Sequence, residues 1–351
     1  MRKLPIYFLI DVSESMVGRP LKQVETGLSH IVKSLKTDPY ALETVHLSVI
    51  AFAGKAKVVS PLAELFSYYP PMLPLGRGTS LGTGLSLLMK DLEFNVKKRT
   101  SSYRGDWKPI VYLFTDGRPT DECEGALHRW EQSYRDKVNL VVVSIGDNVE
   151  VNLLSRLTDT VLEFNNTSPE EYQKFFKWIT NSIKSQSVKV ETTGEDQLFV
   201  NELEGSGARR IDLSKGRKSV MDDQVAVIEA RCQSTGGKYL IKYNRYVEPS
   251  IFKGMGVDVT GFALEGAFEV DENTLDEFSE TEKLQLTVNT EDLRGFPHCP
   301  CCGNEIGFAL CSCGEIMCAS PEKQVQTCPN CHKESYFGYS EGHVDINRTL
   351  G

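Results

Sequence analysis

The sequence predicts an α/β protein: a doubly wound, mostly parallel sheet, followed by a smaller β-rich region. Three observations carry that prediction. Apolar runs of strand length alternate with helix-period segments through the first half of the chain. After about Val190 the character shifts to polar, Gly-rich sequence and then to β-type runs. Of the 10 cysteines, Cys299, Cys301, Cys302, Cys311, Cys313, Cys318, Cys328 and Cys331 crowd one short C-terminal segment. A chain of 351 residues exceeds one ordinary core, so two or three domains are expected. The boundaries read as 1–188 for the sheet domain, 189–220 for a linker or mobile loop, and 221–351 for the β-rich part, with the Cys-rich module at about 297–340.

The elements follow in order. "IYFLID" is a continuous apolar run of the kind a sheet buried on both faces requires. In "PLKQVETGLSHIVKSLK", Leu21, Val24, Leu28, Ile31, Val32 and Leu35 recur at helical spacing, and Pro20 suits a helix start. "VHLSVIAFAG" is a second strand, with "KAKVVSPL" expected to pair antiparallel beside it. "SLGTGLSLLMKDLEFNVKK" reads as a helix, "PIVYLFTDG" as a strand, "DECEGALHRWEQSYRDK" as a helix and "NLVVVSIG" as a strand. "VNLLSRLT" is a short helix and "TVLEFN" a last strand. "SPEEYQKFFKWITNSIKSQS" opens on a capping-box pattern, Ser168 to Glu171, and closes the domain. Right-handed crossovers between such strands place ligands at their carboxyl ends. Farther on, "QVAVIEARCQSTGGKYLIKYNRYV" has two β-type runs around "STGG", a hairpin signal, and "EKLQLTVNT" ends an acidic stretch as a strand.

Composition excludes several classes. Hydrophobic and charged fractions of 40% and 25% are those of a soluble globular protein. A formal net charge of -9 argues against non-specific capture of nucleic acid or anionic membrane. The apolar run near the N-terminus is broken by Pro5 and stopped by Asp11, so it reads as a first strand and not as a signal peptide. No stretch approaches the ~18 apolar residues of a membrane span. A cytoplasmic location is expected, and there crowded cysteines point to metal and not to disulfides.

Three segments fall at strand carboxyl ends. "DVSES" (Asp11 to Ser15) follows the first strand, "TDG" (Thr115 to Gly117) follows "PIVYLF", and "LGRGTSLGTGL" carries Thr79 ahead of a helix. Asp11, Ser13, Ser15, Thr79 and Asp116 then offer two carboxylates and three hydroxyls. That hard-oxygen set suits Mg²⁺, with Mn²⁺ or Ca²⁺ as alternatives. In an extended turn Asp11, Ser13 and Ser15 point to one side, with Val12 and Glu14 pointing away. Gly76 and Gly78 let the Thr79 backbone approach an ion closely. Thr83 stands in the same loop, and Thr79 is favoured because it directly follows the glycines. Singly, each part has a bland reading: the serines as helix caps, "TDG" as a turn.

"DVSES", "GTSLGTGL" and "TDG", in this order on an α/β alternation, resemble a von Willebrand factor A domain over residues 1–188. The resemblance implies a metal-ion-dependent adhesion site with Asp11, Ser13, Ser15, Thr79 and Asp116 as ligands. It also implies a protein partner whose Asp or Glu completes the metal shell. An enzymatic alternative is a metal-dependent phosphohydrolase using Asp11. Such enzymes want a second acid two residues on, where Ser13 stands and cannot donate a proton at neutral pH. The six His are scattered, with no Cys-His or Ser-His-Asp arrangement. The site therefore reads as one for binding and not for catalysis. Phe66, Tyr68, Tyr69 and Met72 before the ligand loop, with Arg118 and Pro119 after Asp116, are read as a rim of interface anchors or, equally, as a Pro-stiffened loop with inward aromatics.

In the tail, "CPCC" (Cys299 to Cys302) and "CPNC" (Cys328 to Cys331) are knuckles of the zinc-ribbon type, and "CSCGEIMC" between them adds Cys311, Cys313 and Cys318. These seven cysteines, Cys301 being the expected spare, suit one or two structural Zn²⁺ ions, with the partition left open. Zinc would supply much of the folding free energy of a segment with few large apolar residues. Cys123 and Cys232, isolated in sequence, read as ordinary residues. A zinc-ribbon nucleic-acid binder is the third function class, which the acidic surroundings oppose. "GKYLIKYNRYV", "LRGFPHCPCCGN", "CSCGEIMC" and "CPNC" resemble the C-terminal metal-binding domain of bacterial TerY-like tellurium-resistance proteins. That resemblance implies a cytosolic scaffold or target in a tellurite- and stress-response system that includes a protein kinase and a PP2C-type phosphatase.

Overall fold

In the computed structural model, which describes residues 2–115, 119–145, 151–164, 168–192, 206, 208–211, 224–248, 259–279, 286–336 and 342–349, strand β1 (Leu4–Asp11) is buried at all eight positions. A strand with apolar residues on both faces needs cover on both, and helices supply it. α1 (Arg19–Leu35) starts with Pro20 in its first turn and buries Val24, Leu28, Ile31, Val32 and Leu35. α2 (Pro39–Thr44) is a short helix that the hydrophobic pattern does not announce. Asp38 caps it by accepting the Ala41 N–H at 3.0 Å. β2 (Val45–Phe52) and β3 (Ala56–Glu64) follow, then α3 (Leu81–Asn95), β4 (Ile110–Thr115) and α4 (Glu124–Ser133). β5 (Asn139–Ile145), α5 (Val151–Leu157), β6 (Val161–Phe164), α6 (Pro169–Thr192) and the two-residue β7 (Arg209–Arg210) complete this part.

The sheet order is β3-β2-β1-β4-β5-β6-β7. β1, β2, β4, β5 and β6 run parallel, while β3 and β7 are antiparallel edges. One face packs Leu85, Leu88, Trp130 and Leu157 against Tyr7, Leu9, Val111 and Leu113. The buried Trp130 indole N–H donates to the Leu157 carbonyl at 2.9 Å, so its polar atom is satisfied. On α6, Ser168 Oγ accepts the Glu171 N–H at 3.3 Å, one half of the expected capping box. Phe114 and Phe164 of the sheet meet Tyr172, Phe175 and Phe176 of that helix at ring separations of 4.6 to 6.5 Å. Pairs in this range contribute about 0.5–1.5 kcal/mol each beyond area burial. The stretch 189–220, expected to be a linker or mobile loop, is in part regular structure. Its first four residues extend α6, and Arg209–Arg210 pairs with Leu162 and Glu163. The remainder of that stretch lies largely outside the described residues.

The chain divides into two compact units, Met1–Pro74 with Thr79–Val220, and Leu75–Gly78 with Met221–Gly351. In the second, β8 (Val225–Arg231) and β9 (Lys238–Glu248) form the hairpin expected around "STGG". β10 (Val259–Glu269), α7 (Glu272–Phe278), β11 (Leu286–Asn289), β12 (Leu293–Arg294), β13 (Ile306–Leu310) and β14 (Ile316–Ala319) follow. β15 (Val325–Thr327), β16 (Glu334–Tyr336) and β17 (Asp345–Arg348) end the unit. Its main sheet is ordered β12-β10-β9-β8-β14-β13, and β11-β17 and β15-β16 are separate two-stranded ribbons. Ile228, Tyr239, Ile241, Tyr243 and Phe262 make the core, with Cys232, Cys299 and Cys318 inside the same cluster. Beside it Lys238 Nζ lies 3.0 Å from Glu272, 3.4 Å from Glu229 and 3.6 Å from Asp276, a buried cation with its charge answered on several sides. Among the described residues no helix is long and apolar enough to cross a membrane.

Candidate metal sites

Asp11 is the last residue of β1 and fully buried. Both of its carboxylate oxygens are already engaged. Thr115 Oγ1, at the end of the neighbouring β4, donates to Oδ2 at 2.8 Å, and the Ser13 N–H donates to Oδ1 at 3.0 Å. A buried carboxylate held this way keeps lone pairs for one further cation while its orientation is set. Beyond Ser13 the chain does not stay extended, contrary to the sequence expectation. Glu14–Met16 form a 3₁₀ turn, and the turn brings Ser13 Oγ and Ser15 Oγ to 3.0 Å of each other. Glu14 is buried as well.

Thr79 reaches the same end of the sheet by a separate route. Gly78 holds φ +82°, a region open to glycine, and turns the chain into the start of α3. Ser80 N–H donates to Ala53 O at 2.7 Å, next to Phe52, whose carbonyl accepts the Val12 N–H at 2.8 Å. Thr79 N–H donates to Thr120 Oγ1 at 2.9 Å, and Thr120 N–H returns a bond to Thr79 O at 2.8 Å. The segments that carry Asp11 and Thr79 are thus both bonded to the end of β2. Thr79 is buried, whereas Thr83 is exposed in the first turn of α3 with its N–H on Asp121 Oδ2 at 3.2 Å. A Cβ on Gly82 would stand 2.8 Å from that same oxygen and 2.9 Å from Cys123 Cα, so only glycine lets α3 start this close. Asp116 and Arg118 lie outside the described residues.

The aromatic rim is not beside this site. β3 runs antiparallel to β2, with Phe52 opposite Ala56 and His46 opposite Glu64. Residues 65–69 therefore emerge at the other end of the sheet, about 20 Å from Asp11 at a strand rise of ~3.3 Å per residue. There Tyr68 packs inward at 3% exposure, while Phe66 and Tyr69 face outward at 79%. Lys36 Nζ sits 4.7 Å over the Tyr69 ring. The sequence places these aromatics near Thr79, and the strand direction removes them.

In the second unit two groups of four sulfurs converge: Cys232, Cys299, Cys302 and Cys318, and separately Cys311, Cys313, Cys328 and Cys331, each set within 4.8 Å. The sulfurs stand 3.7 Å apart for Cys302–Cys318, 3.8 Å for Cys232–Cys318, 3.7 Å for Cys311–Cys331 and 3.8 Å for Cys313–Cys328. A tetrahedral ion with metal–sulfur bonds of about 2.3 Å sets its sulfurs about 3.8 Å apart. Both donor sets therefore fit a four-sulfur metal site. Burial pushes the Cys299 and Cys328 thiols up to about 12, so a cation is needed to hold these two as thiolates, whereas hydrogen bonds outweigh burial at Cys232 and Cys311 and bring them down to about 7.

Cys232, read from sequence as an ordinary residue, is a member of the first group. It directly follows β8 and enters the hairpin turn, where Thr235 N–H donates to its Sγ at 3.4 Å and Gln233 N–H donates to Cys318 Sγ at 3.2 Å. The signal was present in "CQSTGG": a cysteine at a Gly-containing turn whose N–H groups aim at sulfur, as in a zinc knuckle. Cys301, the expected spare, joins neither group, and Cys123 lies in the first unit's core.

Residues 6–178 match the sequence model of the von Willebrand factor type A domain, and residues 222–351 match that of the TerY-C metal binding domain. The chain joins these two domains. Matrilin-1 of Mus musculus is 27% identical to this chain over an alignment of 157 residues that covers 41% of this chain and 29% of that one. Matrilin-1 of Bos taurus is 29% identical over an alignment of 132 residues that covers 34% of this chain and 22% of that one. The chain thus spans less than a third of either relative. Among solved structures, the pilus adhesin SpaC of Lactobacillus rhamnosus GG superposes with a TM-score of 0.41 at 13% identity, covering 52% of this chain and 30% of that one. Proximal thread matrix protein 1 of the mussel byssus, with a zinc-occupied adhesion-site motif, gives 0.37 at 17% identity over 52% and 48%. The A domain supplies the oxygen-lined site, and the TerY-C domain supplies the two sulfur sites.

Proposed function

We propose that the A domain holds Mg²⁺ through Asp11, Ser13, Ser15, Thr79 and Asp116 and thereby captures an acidic side chain of a protein partner. One observation carries the reading. The Ser13 and Ser15 hydroxyls, buried beside Asp11, stand 3.0 Å apart, the spacing of neighbouring oxygens in an octahedron with bonds of about 2.1 Å. Two carboxylates and three neutral hydroxyls leave such a cation short of ligands, and a partner's Asp or Glu completes the shell. When bound, the ion supplies the positive charge that lets an acidic protein accept an acidic partner. Thr115 and the Ser13 N–H orient Asp11. Ser13, at the position where a phosphohydrolase would want its second acid, favours holding over bond breaking.

The TerY-C domain takes two Zn²⁺, each in a shell closed by four sulfurs. On this reading the protein is a non-enzymatic cytoplasmic scaffold of a bacterial tellurite- and stress-response system, and a protein kinase and a PP2C-type phosphatase are the partners to test. Capture of such a partner by the full chain should require Mg²⁺ and vanish in Asp11→Ala with Asp116→Ala. Capture that persists in the double variant overturns the reading. Phosphate-ester hydrolysis abolished by Asp11→Asn would replace it with a catalytic one.

A further inference from the structure

We infer that the two sulfur sites are unequal in kind: Cys311, Cys313, Cys328 and Cys331 form an exchange site for soft divalent ions, while the site built with Cys232 holds its ion as a fixed part of the fold. The inference rests on the proposed zinc loading of both groups and deepens it.

Burial separates them first. Cys232, Cys299 and Cys318 are 0%, 2% and 0% exposed, leaving Cys302 as the one member of that group at the surface; in the second group Cys311 and Cys328 are likewise buried, but Cys313 is exposed and Cys331 half-buried, so two of its four members reach the surface. Ligand exchange at a filled tetrahedral shell begins with an incoming donor reaching the ion, and a water-facing edge admits one without any core residue moving. Packing separates them again. The first three thiols belong to the core cluster of Ile228, Tyr239 and Ile241, so opening their site opens the domain's core. The second group packs only in a small cluster around Met317.

Chain distance is the third difference. Cys232 and Cys318 are 86 residues apart, so the first ion ties the β8–β9 hairpin to the far cysteine segment. Cys311–Cys331 and Cys313–Cys328 are 20 and 15 residues apart, so the second ion closes a local loop that leaves from the turn after β13 and returns, past β14 and β15, at the turn before β16. Local opening of the two turns that carry its cysteines costs far less than global unfolding. Exchange is balanced as one divalent ion in and one out, with the four thiolates unchanged and no electron transferred. A softer, larger ion such as Cd²⁺ is favoured by thiolates, and the less enclosed site accommodates it.

The test uses the full-length, zinc-loaded protein. After its zinc content is measured, EDTA is added in the presence of iodoacetamide, and alkylation of each cysteine is followed by peptide mass spectrometry. Expected is one zinc lost in a fast phase, with Cys313, Cys328 and Cys331 alkylated roughly tenfold or more ahead of Cys232, Cys299 and Cys318. Cys301, in neither site, reports the reagent's intrinsic reach. Cys313→Ser should leave only the slow phase. A single phase, or simultaneous alkylation of both groups, overturns the inference while leaving the zinc reading intact. A protein holding one zinc, with the second group alkylated at once, supports the inequality. One zinc held by the second group overturns it, and no zinc at all overturns both.

Discussion

The sulfurs of Cys232 and Cys318 lie 3.8 Å apart although 86 residues separate them along the chain. Cys232 directly follows β8, Cys318 lies in β14, and the parallel pairing of Met317 with Arg231 brings the two strands side by side. Cys232→Ser should therefore lower bound zinc by one equivalent and drop the thermal midpoint by about 5 °C or more. Cys301→Ser should change neither. Elemental analysis and calorimetry on the two variants check this; equal behaviour would remove Cys232 from the site.

Thr115 bridges the two central strands by donating to Asp11 Oδ2 at 2.8 Å. Thr115→Val removes the donor at nearly constant shape. Outer-shell losses of this kind typically weaken metal binding about 10–100-fold. Thr115→Ser, which keeps the hydroxyl, should restore most of it. Titration calorimetry with Mg²⁺ or Mn²⁺ reads the difference, and unchanged affinity in Thr115→Val would show that Asp11 needs no such support.

Gly27 on α1 lies against the Phe176 ring of α6, and a Cβ built there would stand 2.2 Å from a ring carbon. Gly27→Ala must push the α6 aromatic layer aside, at a cost of about 1–3 kcal/mol as for other overpacked cores. The gain in helix propensity, about 1 kcal/mol, offsets only part of that. Denaturant midpoints at constant m-value are the measurement; a stabilised variant would mean that α6 shifts freely.

His46, buried at the start of β2, has its pKa lowered by burial. Lys3 lowers it further, while its contact with Thr44 O and the charges of Glu64 and Asp106 oppose the shift. The unfolded chain takes up this proton at about 6.5, above the folded value, so it binds more protons as pH falls below that point. Stability is unaffected by this group above about 6.5 and declines below it. His46→Gln should flatten the decline between neutral pH and about pH 5 relative to wild type, as urea midpoints at each pH would show.

Much of this protein is readable from residue order because local rules repeat along it. The doubly buried run before Asp11, the Val24-to-Leu35 stripe and the strand at Ile110–Thr115 each state their structure through period alone. Right-handed crossover then places "DVSES" and the Thr79 loop at one end of a parallel sheet. The knuckles of the tail likewise announce sulfur sites through short spacing. Asp38 capping α2, and Arg209–Arg210 finding an edge on β6, carry no comparable period and are visible only in the fold.

What residue order alone determined is the α/β class, the two-part organisation, and the oxygen and sulfur donors that lie close together in sequence. Tertiary structure decided the rest. It folded Ser13 and Ser15 together in a tight turn, carried the Phe66–Tyr69 aromatics to the opposite end of the sheet, and recruited Cys232 across 86 residues into a site whose other members looked sufficient without it. The physical reason is the same in each case: spacing constrains only a few bonds of chain, whereas strand direction and sheet register set which distant residues meet.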